Sequence, residues 1–233
     1  MGLWRDVPDV LAARTGCPAF VYSRAGHGAS DPPPSKPTVR FMHDEALTAL
    51  PALLDEHHIT NPILIGHSDG ASIAIIFAAT HPARRLVLLA PHVFVEACTI
   101  ASIERMRELY RTTSLRERLA KHHRDVDEAF YGWNDVWLDP GFRGWNIEAY
   151  LPRITCPMLV IQGEDDEYGS ARQVEAVAAH AGGRVETLML PRCGHAPHRD
   201  QRELALDRIA GFIEAERPEG LSASELPLNH DRR

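Results

Sequence analysis

Two kinds of apolar pattern take turns along the chain. In the first, branched and large apolar residues follow one another without polar alternation. "PILIG" (62–66), "RRLVLLAPHV" (84–93) and "CPMLVIQGEDDEYG" (156–169) open or run in this way. Such runs suit parallel strands covered on both faces. "CPAFVYSRAGHG" (17–28) predicts a short strand over 18–23 and then a glycine-rich loop, and "VETLMLPRCGH" (185–195) predicts the last strand. In the second pattern, apolar residues recur at helical spacing, as at Ala46, Leu47, Leu50, Leu53 and Leu54 within 42–59. Pro51 predicts a bend or break in that helix. Further helices are predicted over 70–82, about 170–181 and about 200–215.

Alternating strands and helices with apolar strands make an α/β fold, a mostly parallel sheet covered by helices. Residues 95–151 break the alternation with helices, loops, many charges and Trp133, Trp137 and Trp145. They sit between two strands at their carboxyl ends, where open α/β sheets bind ligands, and so predict a helical lid insertion. The expected division is a core of 1–94 and 152–216, a lid of 95–151, and a disordered polar tail of 217–233.

Composition narrows the function. The chain has 233 residues, 44% hydrophobic and 24% charged, with a net charge of −7. That balance argues against a nucleic-acid partner. No apolar run approaches the ~18 residues of a membrane span, and the first ten residues have no signal-like apolar core. Cys17, Cys98, Cys156 and Cys193 stand far apart, with no C-x-x-C pair. Reduced thiols and a cytoplasmic setting are the expectation. The histidine pairs at 57–58 and 122–123 read as surface residues, and "CGHAPH" matches no zinc spacing. Neither metal nor cofactor is expected.

The stretch carrying chemistry is Gly66-His67-Ser68-Asp69-Gly70, which ends a predicted strand and opens a predicted helix. A sharp strand-to-helix turn lifts its apex side chain into the open, and bulky neighbours would clash there. The helix aims its N-terminal N–H groups at the site, so the Asp69 N–H would face a developing oxyanion. A serine is a poor nucleophile at neutral pH, and Ser68 needs a histidine base with a group to orient it. The acid is expected in "GEDDEYG" after the strand at 156, with Asp166 preferred, then Asp165, then Glu164. The base is expected in "CGHAPH", with His195 preferred over His198, which belongs to the start of the final helix.

These features together resemble the α/β-hydrolase superfamily from residue 18 to about 215. Gly66-His67-Ser68-Asp69-Gly70, Gly163-Glu164-Asp165-Asp166 and Gly194-His195 carry the resemblance, and "SRAGHGASD" (23–31) resembles a loop of lid-bearing members. The resemblance implies three strands before 18–23 and an early His-Gly or Gly-Gly loop that gives a second oxyanion donor. Neither precedes 18–23 here, so the sheet is expected to be N-terminally truncated. The missing third strand would lie between 18–23 and 62–66. Three explanations follow: a start downstream of the true one, which is preferred, direct pairing of 18–23 with 62–66, or a degenerate relative.

The expected function is a serine hydrolase acting on an ester, lactone, thioester or related small carbonyl substrate. The alternative is a non-catalytic scaffold that binds a small molecule or protein partner. His67, His92, Trp133 and Trp137 are the substrate-binding candidates. For His67 a purely structural role is an equal reading. Arg24 and Asn134 are weaker candidates for contacting an acidic substrate. Asp69 itself reads as an N-terminal helix charge.

Overall fold

The computed structural model describes residues 3–215. In chain order, α1 (Val7–Thr15) precedes a non-helical stretch, then α2 (Phe41–Asp44), a π-turn (Glu45–Ala49) and α3 (Leu50–Glu56). The core continues with β1 (Ile63–His67), α4 (Asp69–Ala78) and β2 (Arg85–Leu89). A helical segment follows: α5 (Ala97–Thr112), α6 (Leu115–Ala120), α7 (Val126–Leu138) and 3-10 turns at Pro140–Phe142 and Glu148–Arg153. β3 (Met158–Gly163), α8 (Arg172–His180), β4 (Val185–Leu190), α9 (Pro197–Asp200) and α10 (Arg202–Glu214) complete the described chain. The tail expected over 217–233 lies outside the described residues.

The four strands form one parallel sheet in the order β1-β2-β3-β4. Its apolar runs have a geometric cause. Side chains alternate across a strand, so Leu86 and Leu88 join the cluster under α4. Val87 and Leu89 join the opposite cluster, which contains Leu11 of α1 and Leu206, Ile209 and Phe212 of α10. With both faces covered, apolar residues fill both sets of positions, and the buried Arg85 that opens β2 lays its guanidinium over the Phe212 ring. A buried Val or Leu contributes about 1.5–3 kcal/mol.

The segment 18–23 is not a strand, and it does not pair with β1. β1 is instead an edge of the sheet. The apolar residues of 18–23 find side-chain partners in place of a ladder. Phe20, 42% exposed, sits against the His57 ring at 4.5 Å, and the Tyr22 hydroxyl donates to Glu45 at 2.7 Å. β-propensity without a neighbouring strand gives only extended chain.

Pro51 does not break its helix. The π-turn at Glu45–Ala49 widens the helix just before it, and α3 starts with the proline in its first turn. A proline has no N–H to donate and its ring crowds the carbonyl four residues back, and a local π-turn relieves both.

Candidate active site

The sheet's carboxyl edge is built from sharp turns. Ser68 after β1, Ala90 after β2 and Arg192 after β4 all have positive φ. The ladder carries on across these turns. Ser68 N–H donates to the Leu89 carbonyl at 2.9 Å, Ala90 N–H to Ile161 at 2.8 Å, and Glu164 N–H to Leu190 at 2.9 Å. Residues distant in sequence therefore emerge at one height.

Ser68 has φ 54° and ψ −122°, a conformation costing about 1–3 kcal/mol for a residue with a side chain. The two flanking glycines differ. A Cβ on Gly66 would overlap the Gly70 carbonyl, whereas a Cβ on Gly70 would meet open space. Crowding thus explains Gly66, and the clash expected at Gly70 is absent. A Cβ on Gly163 would overlap the carbonyls of Cys193 and Gly194, so this glycine lets the loop before α9 cross the end of β3.

That crossing brings the predicted residues together. Ser68 Oγ lies 2.9 Å from His195 Nε2. His195 Nδ1 lies 2.8 and 3.0 Å from the two carboxylate oxygens of Asp166. The Asp166 side chain is 1% exposed, and its Oδ1 also accepts the Tyr168 N–H at 2.9 Å. Asp165 and Glu164 are exposed. His198 lies in α9, with its ring 4.9 Å from that of His67.

Uncharged rings surround His195. Tyr168 packs 4.6 Å from it, His67 4.9 Å and His92 5.6 Å, ring centre to ring centre. His67 Nε2 donates to the His195 carbonyl at 2.6 Å. Burial, and after it the proximity of the His195 imidazole, pushes His67 and His92 each down to about 3. Burial, with Glu167 and Asp166 adding to it, pushes the Tyr168 phenol up to about 12. Sequence reasoning missed Tyr168. Its only signal was its place two residues after the acid.

The Asp69 carboxylate is buried against the helical segment and the glycine-rich loop. It accepts the Trp137 indole N–H at 3.2 Å, with the Arg24 guanidinium 3.8 Å away. Burial raises its carboxyl above the usual range, outweighing Arg24 and Trp137. Asn134 is also internal. It accepts from Arg107 at 2.5 Å and donates to the Ile103 carbonyl at 3.0 Å. Trp133 turns toward Phe130, 5.9 Å between rings. Of the substrate-binding candidates, His67 and His92 border His195, Trp137 reaches the elbow helix, and Trp133 lies against another aromatic group.

Among the described residues, no cluster of His, Cys, Asp and Glu is arranged to hold a metal ion, and no helix is long and apolar enough to cross a membrane.

Two curated proteins are similar in sequence. The alpha/beta hydrolase domain-containing protein aho-3 of Caenorhabditis elegans is 26% identical over 208 residues, covering 88% of this chain and 52% of that protein. The serine hydrolase BPHL of Homo sapiens is 27% identical over 188 residues, covering 74% and 61%. The chain thus spans a little over half the length of these relatives. Among solved structures, an esterase from Exiguobacterium antarcticum superposes with a TM-score of 0.66 at 18% identity, over 91% of this chain and 87% of that one, a likeness of fold. The profile of the Alpha/beta hydrolase family matches residues 1–208, and the chain belongs to that family.

Proposed function

We propose that the protein is a serine hydrolase of small carbonyl substrates, an ester, lactone or thioester, working through a Ser68-His195-Asp166 triad without a cofactor. The observation that carries this reading is the continuous hydrogen-bonded chain from Ser68 Oγ through His195 to Asp166, with Ser68 in a strained backbone conformation at its open end. Family membership and the esterase-like fold support it.

In the proposed reaction, His195 Nε2 takes the Ser68 proton as Oγ bonds to the carbonyl carbon. The Asp69 N–H, at the first residue of α4, faces the oxyanion. The carbonyl re-forms, the bond to the leaving group breaks, and His195 returns the proton to that group. Water then attacks the acyl-enzyme, giving its proton to His195, and the acid leaves as Ser68 is reprotonated. Asp166 holds the tautomer with hydrogen on Nδ1 and stabilises the imidazolium. We take residues 95–151 as a unit covering the core of 3–94 and 152–215. The partner is a small molecule, not a nucleic acid or membrane, and free cysteines support a cytoplasmic setting.

A second reading is a non-catalytic scaffold. Hydrolysis of p-nitrophenyl acetate and labelling by a fluorophosphonate probe separate the two. Turnover and labelling that both vanish in Ser68→Ala support the enzyme. A folded protein that neither turns over nor labels supports the scaffold.

A further inference from the structure

The loop carrying Asp166 is held from outside by the first turns of α5. The Thr99 hydroxyl donates to the Tyr168 carbonyl, and the Ser102 hydroxyl donates to the Glu167 carbonyl at 2.6 Å. Just before α5, the Glu96 carboxylate accepts the Ser170 N–H at 2.9 Å, the Ser170 hydroxyl at 2.7 Å and the Gln173 amide at 2.7 Å. Tyr168 lies at the centre of this contact. Its N–H donates to Asp166, its carbonyl takes the Thr99 hydroxyl, and its ring packs on His195.

The other end of the same segment reaches the nucleophile turn. α5 joins α7 through the Arg107–Asn134 hydrogen bond and the bond from Asn134 back to Ile103. From α7, the Trp137 indole N–H reaches the carboxylate of Asp69, the residue after Ser68. A hydrogen-bonded path thus runs from the acid's loop through α5 and α7 to the nucleophile's helix without passing through His195.

We propose that α5 and α7 form a brace that sets the position of Asp166 relative to Ser68, with Thr99 and Ser102 as positioning residues. This deepens the triad reading and rests on it. Each hydroxyl serves a carbonyl within two residues of Asp166, on a loop exposed at Glu164, Asp165 and Glu167. Without the hydroxyls the loop loses its anchors at residues 167 and 168, while the Glu96 contacts and the apolar packing of α5 stay. Misplacing a catalytic group by about 1 Å costs up to roughly 100-fold in rate.

The experiment compares wild type with the Thr99→Val/Ser102→Ala double variant. It measures kcat and KM for p-nitrophenyl acetate, and the low-field proton resonance of the His195 Nδ1–H shared with Asp166. The brace predicts a kcat lower by roughly 10- to 100-fold, KM within about twofold, and a weakened or broadened resonance. Thr99→Ser, which keeps the hydroxyl, restores both readouts when Ser102 is intact. Thr112→Val controls for loss of a hydroxyl that bonds only its own helix, to the Glu108 carbonyl, and leaves both unchanged. A folded double variant with wild-type kcat and resonance overturns the brace. If the double variant does not fold, Ser102→Ala alone is read, by the same resonance. A wild type with no turnover and no probe labelling overturns the hydrolase reading, and the resonance comparison still decides the brace.

Discussion

The turn carrying Ser68 and the turn carrying Asp166 both follow parallel strands, yet they are fixed in different ways. At Ser68 the constraint is local: Gly66 makes room for the Gly70 carbonyl, and the backbone returns into α4 within two residues. At Asp166 it is distant. The contacts from Thr99 and Ser102 to this loop span 69 and 65 positions of sequence, and the histidine loop that crosses Gly163 arrives from β4. A nucleophile can be written into five consecutive residues. An acid must be held by whatever packs around it.

Four measurements test this contrast, from the largest expected effect down. Asp166→Asn should lower kcat by roughly 10⁴-fold through the wrong histidine tautomer, while Asp165→Asn, on an exposed neighbour, should stay within about twofold. Similar losses in both would mean that the loop, rather than one carboxylate, is what matters. Next, Gly66→Ala and Gly163→Ala both force a Cβ into backbone carbonyls and should each cost about 3 kcal/mol or more. Thermal melts should show Tm lower by roughly 6–12 °C. If only Gly66→Ala matters, the distant crossing is more pliable than its geometry implies.

The third measurement is the pH dependence of Tm. His67 and His92 fall from the ordinary 6.5 to about 3 on folding, so between those values the unfolded chain binds protons that the native chain does not. Stability is therefore complete above about 6.5 and lost as pH falls toward 3. His67→Gln should flatten this slope and retain a donor for the His195 carbonyl. An unchanged slope would show that His67 is not one of the groups responsible. The smallest effect is expected at Gly70→Ala. A Cβ there meets nothing, and alanine favours a helix over glycine by about 1 kcal/mol, so Tm should hold or rise slightly. A large loss would place a strained turn at this position too.

Much of the fold was legible because β2 and β3 are buried along their whole length and their sequences run apolar without alternation. The runs at 62–66 and 84–93 mark β1 and β2 to within a few residues. The run at 18–23 misleads for the same reason: Val21 and Tyr22 suit a strand, but a strand exists only with a partner, and no neighbouring sequence reveals one. The Ser68 turn was readable from Gly66 and its flanks. The acid was readable only to a group of carboxylates, since Glu164, Asp165 and Asp166 are equivalent in a string of letters. Burial and the Tyr168 N–H single out Asp166. Trp133 and Trp137 looked alike in sequence, yet Trp137 reaches Asp69 and Trp133 turns to Phe130.

The sequence by itself determined the parallel α/β pattern and the sharp turn at Ser68, because side-chain alternation and glycine's small size act over a few neighbouring residues. Only the tertiary structure decided which carboxylate meets His195, what holds its loop, and where Asp69 points, because those outcomes depend on desolvation and hydrogen bonds between segments that meet only when the chain is packed.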